Sequence, residues 1–337
     1  MLDDRKATIL RAIVGDYIRA GHPVGSRTLV ERYRLRVSSA TIRNDMSLLE
    51  ELGYIVRPHA SAGGIPTDQG YRWYVDHWPA PAWPALPARQ RAAIAGTFGS
   101  GFAALEEVLY ATSHVLSALT EAVAVVAAPP AREDLLRHIE FLRRGPRLAA
   151  LLLIGDTGAL QQGLVEFAEE QTEEQLSDLA RDLNEALEGR GFEELASRIL
   201  DSGGVDEARR AVAAEIERIL SRRGWERVFR GGTANILLAE KFSDLETAHG
   251  VIDALEQPSV LSQLLEAARL AGSILVFIGQ ENPIPGMHAC ATVLATYEVG
   301  AQRRGTLGVV GPTRMDYPHT ISAVDAVARS LSGLLAS

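Results

Sequence analysis

The chain has 337 residues, 47% of them apolar and 23% charged, a length for two or three domains and a composition that excludes disorder and a peptide-sized scaffold. Its longest apolar runs, such as Ala122 to Ala128 and Leu148 to Ile154, fall far short of the ~20 residues that span a bilayer. One cysteine, Cys290, excludes an intramolecular disulfide, an all-cysteine metal site and a redox pair.

The charged start (Asp3, Asp4, Arg5, Lys6) lacks the pattern of a secretory signal, so a cytoplasmic protein with no membrane partner is expected. The net charge of −9 weighs against nucleic acid, but it is unevenly spread. Residues 1–76 carry 11 Lys and Arg against 9 Asp and Glu, and between Arg27 and Arg43 five arginines face only Glu31. Such a patch can neutralise phosphates whatever the rest of the chain carries.

Ile9, Leu10, Ile13, Val14, Tyr17 and Ile18 recur at helical spacing before Gly21 and Pro23, predicting an amphipathic helix over 3–20. Ser26 is placed to cap a second helix through Tyr33 with Leu29 and Val30 inward, and Ser38 a third that runs to about Leu52 and Gly53. On the third helix Ile42, Met46, Leu49 and Leu52 form the expected buried stripe. The other side and its flanks carry Ser39, Thr41, Arg43, Asn44 and Ser47, which suit a solvated surface as well as a major groove.

Tyr54 to Val56 and Ile65 to Thr67 are short β-prone runs around a turn-rich stretch, so a hairpin is expected after the third helix, and the segment reads as a winged helix-turn-helix. The expected DNA contacts are Arg27, Ser38, Ser39, Thr41, Arg43, Asn44 and Ser47, with Arg57, His59 and Ser61 on or near the wing tip and Arg32, Arg34 or Arg36 on the backbone. Arg43 and Asn44 are the expected base readers, since arginine suits guanine and asparagine adenine. Asp45, beside the apolar stripe, is expected to pair with a basic residue within the domain.

PVGSRTL (23–29), VSSATIRNDMSLLEELGYI (37–55), PHASAGGIPTDQGYRWYVD (58–76) and LGVVGPTRMDY (307–317) closely resemble HrcA, the heat-inducible transcription repressor family of bacteria. The likeness extends through GGTANILL, IGQEN and the C-terminal ISAVDAVARSLSGLL. It implies a homodimer on an inverted-repeat double-stranded operator, CIRCE, that represses chaperone operons and is modulated by the GroEL chaperonin. One position departs: Gly64 stands where the family wing usually has arginine, which puts the wing's contact with DNA in question.

His77 to Ala88, with Pro79, Pro81, Pro84 and Pro87, reads as a semi-rigid connector. Residues 89–127 are expected to form a long helical stretch. Ile139 to Leu142 and Leu148 to Ile154 form an expected hairpin, Leu160 to Phe167 a third strand, and Thr172 to Leu187, Phe192 to Leu200 and Val205 to Arg222 three helices. Strands at Ser273 to Ile278, Ala289 to Tyr297 and Gly305 to Val310 precede a helix from about Pro318 to Leu335.

The expected class is therefore α+β. Residues 1–76 form the winged helix and 77–104 the linker and connecting helix. By resemblance, 105–337 form a GAF-like domain with an inserted helical dimerising segment near 170–255. Glu166, Glu169, Glu170, Glu173, Glu174 and Asp178 concentrate acidic charge there, as a solvated helix start or as a body repelled from DNA.

The eight histidines show no metal-ligand spacing, and His288 and Cys290, expected two apart on one strand, fit packing better than ligation. With no phosphate loop and no nucleophile elbow, neither an enzyme nor a cofactor is expected. The alternative is a small-molecule-responsive regulator whose GAF-like domain holds a ligand, an analogy from fold alone.

Overall fold

The computed structural model describes the whole chain except residues 1, 34–36, 60–61, 79–82, 100, 103, 131–133, 157, 159, 202–205, 222–227, 236–244, 272, 301–302 and 337. It is a mixed helical and sheet protein with a helix-turn-helix at its N-terminus.

Helix α1 (Asp4–Ala20) starts at Asp3, whose carboxylate accepts from the Lys6 amide at 2.9 Å, and ends at Gly21 in the left-handed conformation (φ +71). Helix α2 (Ser26–Tyr33) begins at Ser26 itself, the Gly25 carbonyl accepting the first intrahelical bond from Leu29 N, so Ser26 is not the cap expected. Helix α3 (Ser39–Glu51) is capped by Ser38, whose hydroxyl accepts from Thr41 N at 3.2 Å.

Ile42, Met46 and Leu49 are buried against α1 and α2, each contributing about 1.5 to 3 kcal/mol. Leu52 is not part of that stripe. It lies just past α3, where the chain turns off the helix, and is 52% exposed. Strands β1 (Ile55–Val56) and β2 (Ile65–Pro66) pair antiparallel, and Val24 bridges Gly64 to extend the small sheet. Helix α4 (Asp68–Asp76) follows, capped by Thr67.

The expected long helix over 89–127 is broken. Helix α5 (Ala88–Phe98) and helix α6 (Leu105–Thr120) are separate, Glu121 takes a left-handed conformation (φ 54), and Val123–Ala127 is strand β3. Val123, Val125 and Ala127 face one core, Ala124 and Val126 another. A strand buried on both faces shows no period and is easily taken for helix.

β3 lies in a five-stranded antiparallel sheet with β7 (Val228–Gly231), β8 (Leu275–Ile278), β9 (Cys290–Val299) and β10 (Arg303–Pro312), ordered β7-β3-β10-β9-β8. Helix α12 (Tyr317–Leu335) and α6 cover one face; α10 (Leu245–Glu256) and α11 (Pro258–Ala271) cover the other.

Between β3 and β7, which are sheet neighbours, the chain makes an excursion with its own core. Strands β4 (Leu136–Gly145), β5 (Leu148–Gly155) and β6 (Leu160–Glu166) form a second antiparallel sheet, covered on one face by α7 (Glu173–Leu187), α8 (Phe192–Asp201) and α9 (Glu207–Ser221). The expected segment 170–255 thus misses these three strands and includes α10, which packs on the main sheet. Arg303 of β10 ties the excursion to the main sheet through Asp134 (2.7 Å) and Asp156 (2.6 Å).

Candidate nucleic-acid interface

The third helix presents its polar side outward. Ser39, Arg43 and Asn44 are exposed, Thr41 and Ser47 half-buried, and the side chains of Arg43 and Asn44 make no hydrogen bond or ion pair with the described residues. Asp45 points inward, 3% exposed, and accepts Arg5 Nε on Oδ2 at 2.8 Å and Arg5 Nη2 on Oδ1 at 3.0 Å. The helix start is fixed by Ser38, whose hydroxyl also lies 3.0 Å from that of Thr41. Arg27 is exposed on the first turn of α2.

Not every expected contact reaches solvent. Arg57 is folded back along α3: its amide donates to Glu50 Oε1 at 3.1 Å, its Nε to Oε2 at 2.8 Å and its Nη2 to the Ser47 hydroxyl at 3.3 Å. Only 14% of its side chain is exposed, so in this conformation it braces the wing on the helix rather than standing at the tip. The hydrogen bonds from Arg57 hold the Glu50 carboxyl below its ordinary value.

Arg32 is likewise occupied, donating to Asp16 Oδ1 at 3.0 Å beside Arg19 and the Tyr33 hydroxyl. Burial pushes the Asp16 carboxyl up, but Arg19, Arg32 and Tyr33 together outweigh it and hold it low. His59 is exposed, whereas Ser61, Arg34 and Arg36 lie outside the described residues.

Gly64 is not at the wing tip. Its backbone pairs with Val24, and a Cβ there would point inward, 2.9 Å from Ile55 Cδ1 and 3.3 Å from Met46 Cε. Sequence reading also missed Arg5, Asp16 and Glu50 as braces, because pairs 40, 16 and 7 residues apart leave no periodic signal.

Away from this surface, His288 closes a short 3-10 turn while Cys290 opens β9, so the two do not share a strand. The described residues contain no group of three metal-ligating side chains and no helix long and apolar enough to cross a membrane.

A capped third helix with an outward polar face, braced by a first helix and followed by a two-stranded hairpin, defines a DNA-binding helix-turn-helix protein of the winged type. Residues 26–67 match the DeoR-like helix-turn-helix domain, and residues 106–321 match the HrcA protein C-terminal domain. The chain belongs to the HrcA family.

Two relatives named heat-inducible transcription repressor HrcA, from Thermobifida fusca and Acidothermus cellulolyticus, are 41% and 40% identical to it over 100% of this chain and 98% and 99% of theirs. A crystal structure described as a hypothetical protein at 2.2 Å resolution shares the fold, with a TM-score of 0.61, 24% identity and coverage of 100% of this chain and 99% of that one.

Proposed function

We propose that this protein is a heat-inducible transcription repressor, a regulator rather than an enzyme, that acts in the cytoplasm as a homodimer on the CIRCE inverted repeat upstream of chaperone operons. The observation that carries the reading is the pair Arg43 and Asn44, exposed and without a side-chain hydrogen bond to the described residues, on a helix whose only buried acid is neutralised by Arg5. In a two-fold dimer each α3 enters the major groove of one half-site. Arg27, Ser38, Ser39, Thr41 and Ser47 then lie on or beside the backbone, with His59 of the wing.

The inserted unit supports the dimer. The face of β4-β5-β6 opposite its helices carries Leu142, Leu160 and Leu164, all exposed, around half-buried Ala150, Leu152 and Ile154. We take this face, on which exposed Glu140 and Gln162 flank Leu152, to be the one a second copy covers. We read residues 1–76 as the DNA-binding unit, 77–104 as the connector and 105–337 as a GAF-like body with its insertion. Relief on heating follows if the body needs the GroEL chaperonin to hold its active form.

The test is binding of the purified protein to the inverted repeat against a scrambled duplex of equal length across a salt series. Selective binding is expected; equal, steeply salt-dependent binding to both would leave only phosphate attraction and overturn the operator reading. Operator affinity that survives heating and recooling undiminished without chaperonin would overturn the heat mechanism. Ligand-dependent melting of the body would favour the small-molecule alternative.

A further inference from the structure

Three sequence stretches that the DNA contact leaves unused meet at one place: Thr67 to Arg72, Ile278 to Asn282 and Gly311 to Tyr317. Arg72, on α4 of the winged helix, donates Nε to Glu281 Oε1 at 2.8 Å, also reaches Glu281 Oε2, and gives Nη2 to the Val276 carbonyl at 2.6 Å. Asp68, at the start of the same helix, accepts the Gln280 amide at 3.0 Å. Gly279 has φ +55, and any side chain there would run into the Asp68 carboxylate.

The receiving turn is held by its own hydrogen bonds. Glu281 Oε2 accepts its own Ile278 amide at 2.9 Å, and buried Asn282 donates to the Gly279 and Cys290 carbonyls at 3.0 and 2.9 Å while accepting the Thr292 hydroxyl at 3.1 Å. On the other side of α4, Tyr71 and Tyr317 are both buried, with ring centroids 5.7 Å apart. The guanidinium of Arg314 lies directly against Gly21, the left-handed residue ending α1, where helix carbonyls favour a cation.

The winged helix is therefore seated on the body by two arginines and a shared apolar core, and Arg43 and Asn44 stay exposed in the seated arrangement. In a two-fold dimer the separation and tilt of the two α3 helices follow from how each winged helix sits on its body. Half-sites must lie about one helical turn apart or a multiple of it, and one extra base pair both shifts and rotates a half-site by about a tenth of that turn. The residues of the seat then decide which spacing fits.

We propose that Arg72, through Glu281, and Arg314, against Gly21, are positioning residues that set the half-site spacing this protein accepts. The inference rests on the dimeric operator reading above.

The test uses the full chain and a series of duplexes carrying the same two half-sites with the spacer lengthened or shortened by single base pairs, beside a duplex with one half-site. The unaltered protein is expected to prefer one spacer by about tenfold or more, and Glu281→Gln and Arg314→Met to flatten that preference to about threefold while keeping half-site affinity within about twofold. A charge swap, Arg72→Glu with Glu281→Arg, is expected to recover part of the preference. If a single variant also loses half-site binding, it has damaged the domain, and the other two variants decide.

A spacer preference that both single variants leave intact overturns this inference and leaves the operator reading standing. Failure of the unaltered protein to bind any duplex overturns both.

Discussion

Asp45 on α3 is held by Arg5 on α1 through two parallel hydrogen bonds, 2.8 and 3.0 Å long, with the carboxylate buried and the guanidinium half-exposed. The pair spans 40 residues and fixes the rotation of α3 about its own axis, so the residues just before Asp45 face outward.

Two neighbouring substitutions should therefore behave differently. Asp45→Ala is expected to lower the melting temperature of the winged helix, because it strips the buried partner from a fork-shaped pair. Asn44→Ala is expected to leave melting unchanged and to cost about 1 to 3 kcal/mol of binding, with base preference relaxed at one position per half-site. An equal loss on every operator variant would show that Asn44 reads no base.

Glu50 and Arg57 give a prediction with a sign. Hydrogen bonds from Arg57 hold the Glu50 carboxyl below its ordinary 4.5 in the folded chain, so the pair's stabilisation is complete above about that pH and is lost as pH falls through the lowered folded value. Glu50→Gln should flatten this part of the acid-unfolding curve. It should also release Arg57 towards phosphate, steepening the dependence of DNA affinity on salt by about one phosphate contact. An unchanged salt slope would show that Arg57 stays on the helix.

The N-terminal domain was legible because its signals are local: Ser38 caps one helix, Gly21 ends another, and Ile42, Met46 and Leu49 keep a helical period. The side chains that orient the DNA-facing surface were only partly so. The internal pairing of Asp45 follows from its place beside the apolar stripe, but Arg57, expected on or near the wing tip, folds back onto Glu50, which nothing in its neighbourhood announces. The body hides its order where burial removes the period, as in β3, and the bounds of the insertion are hidden because a hairpin says nothing of which sheet it joins. What marks the excursion is the pairing of β3 with β7 across it, a relation between distant residues.

The outer face of β4-β5-β6 makes a prediction about assembly. Leu152→Asp places a charge at the middle of this face, between Glu140 and Gln162 on the neighbouring strands. In sedimentation the dimer is expected to give way to the monomer, and binding to the full inverted repeat to fall further than binding to one half-site. A dimer that persists unchanged would place the interface elsewhere.

Gly64 offers a reversal of what its sequence position suggested. An arginine there begins against Ile55 Cδ1 and Met46 Cε rather than in solvent, so Gly64→Arg is expected to cost roughly 1 to 3 kcal/mol of stability through overpacking. No gain in operator affinity should accompany it. Tighter binding with an unchanged melting temperature would show that the side chain leaves the core and reaches DNA.

Cys290 makes the body's opening measurable. It begins β9 with no exposure, in the core shared with α10 and α11, and burial pushes its thiol up to about 12. The thiolate is the reactive form, and the burial that raises the thiol also keeps reagents away from it. Alkylation in the folded state is therefore expected to be negligible, and its rate on warming reports the fraction of molecules whose core has opened. If operator affinity and protection of Cys290 are lost together, heat acts by opening the body. If affinity falls while Cys290 stays protected, the winged helix or its seat yields before the body does. Rapid labelling at low temperature, at the rate of an exposed thiol, would contradict the burial of this strand.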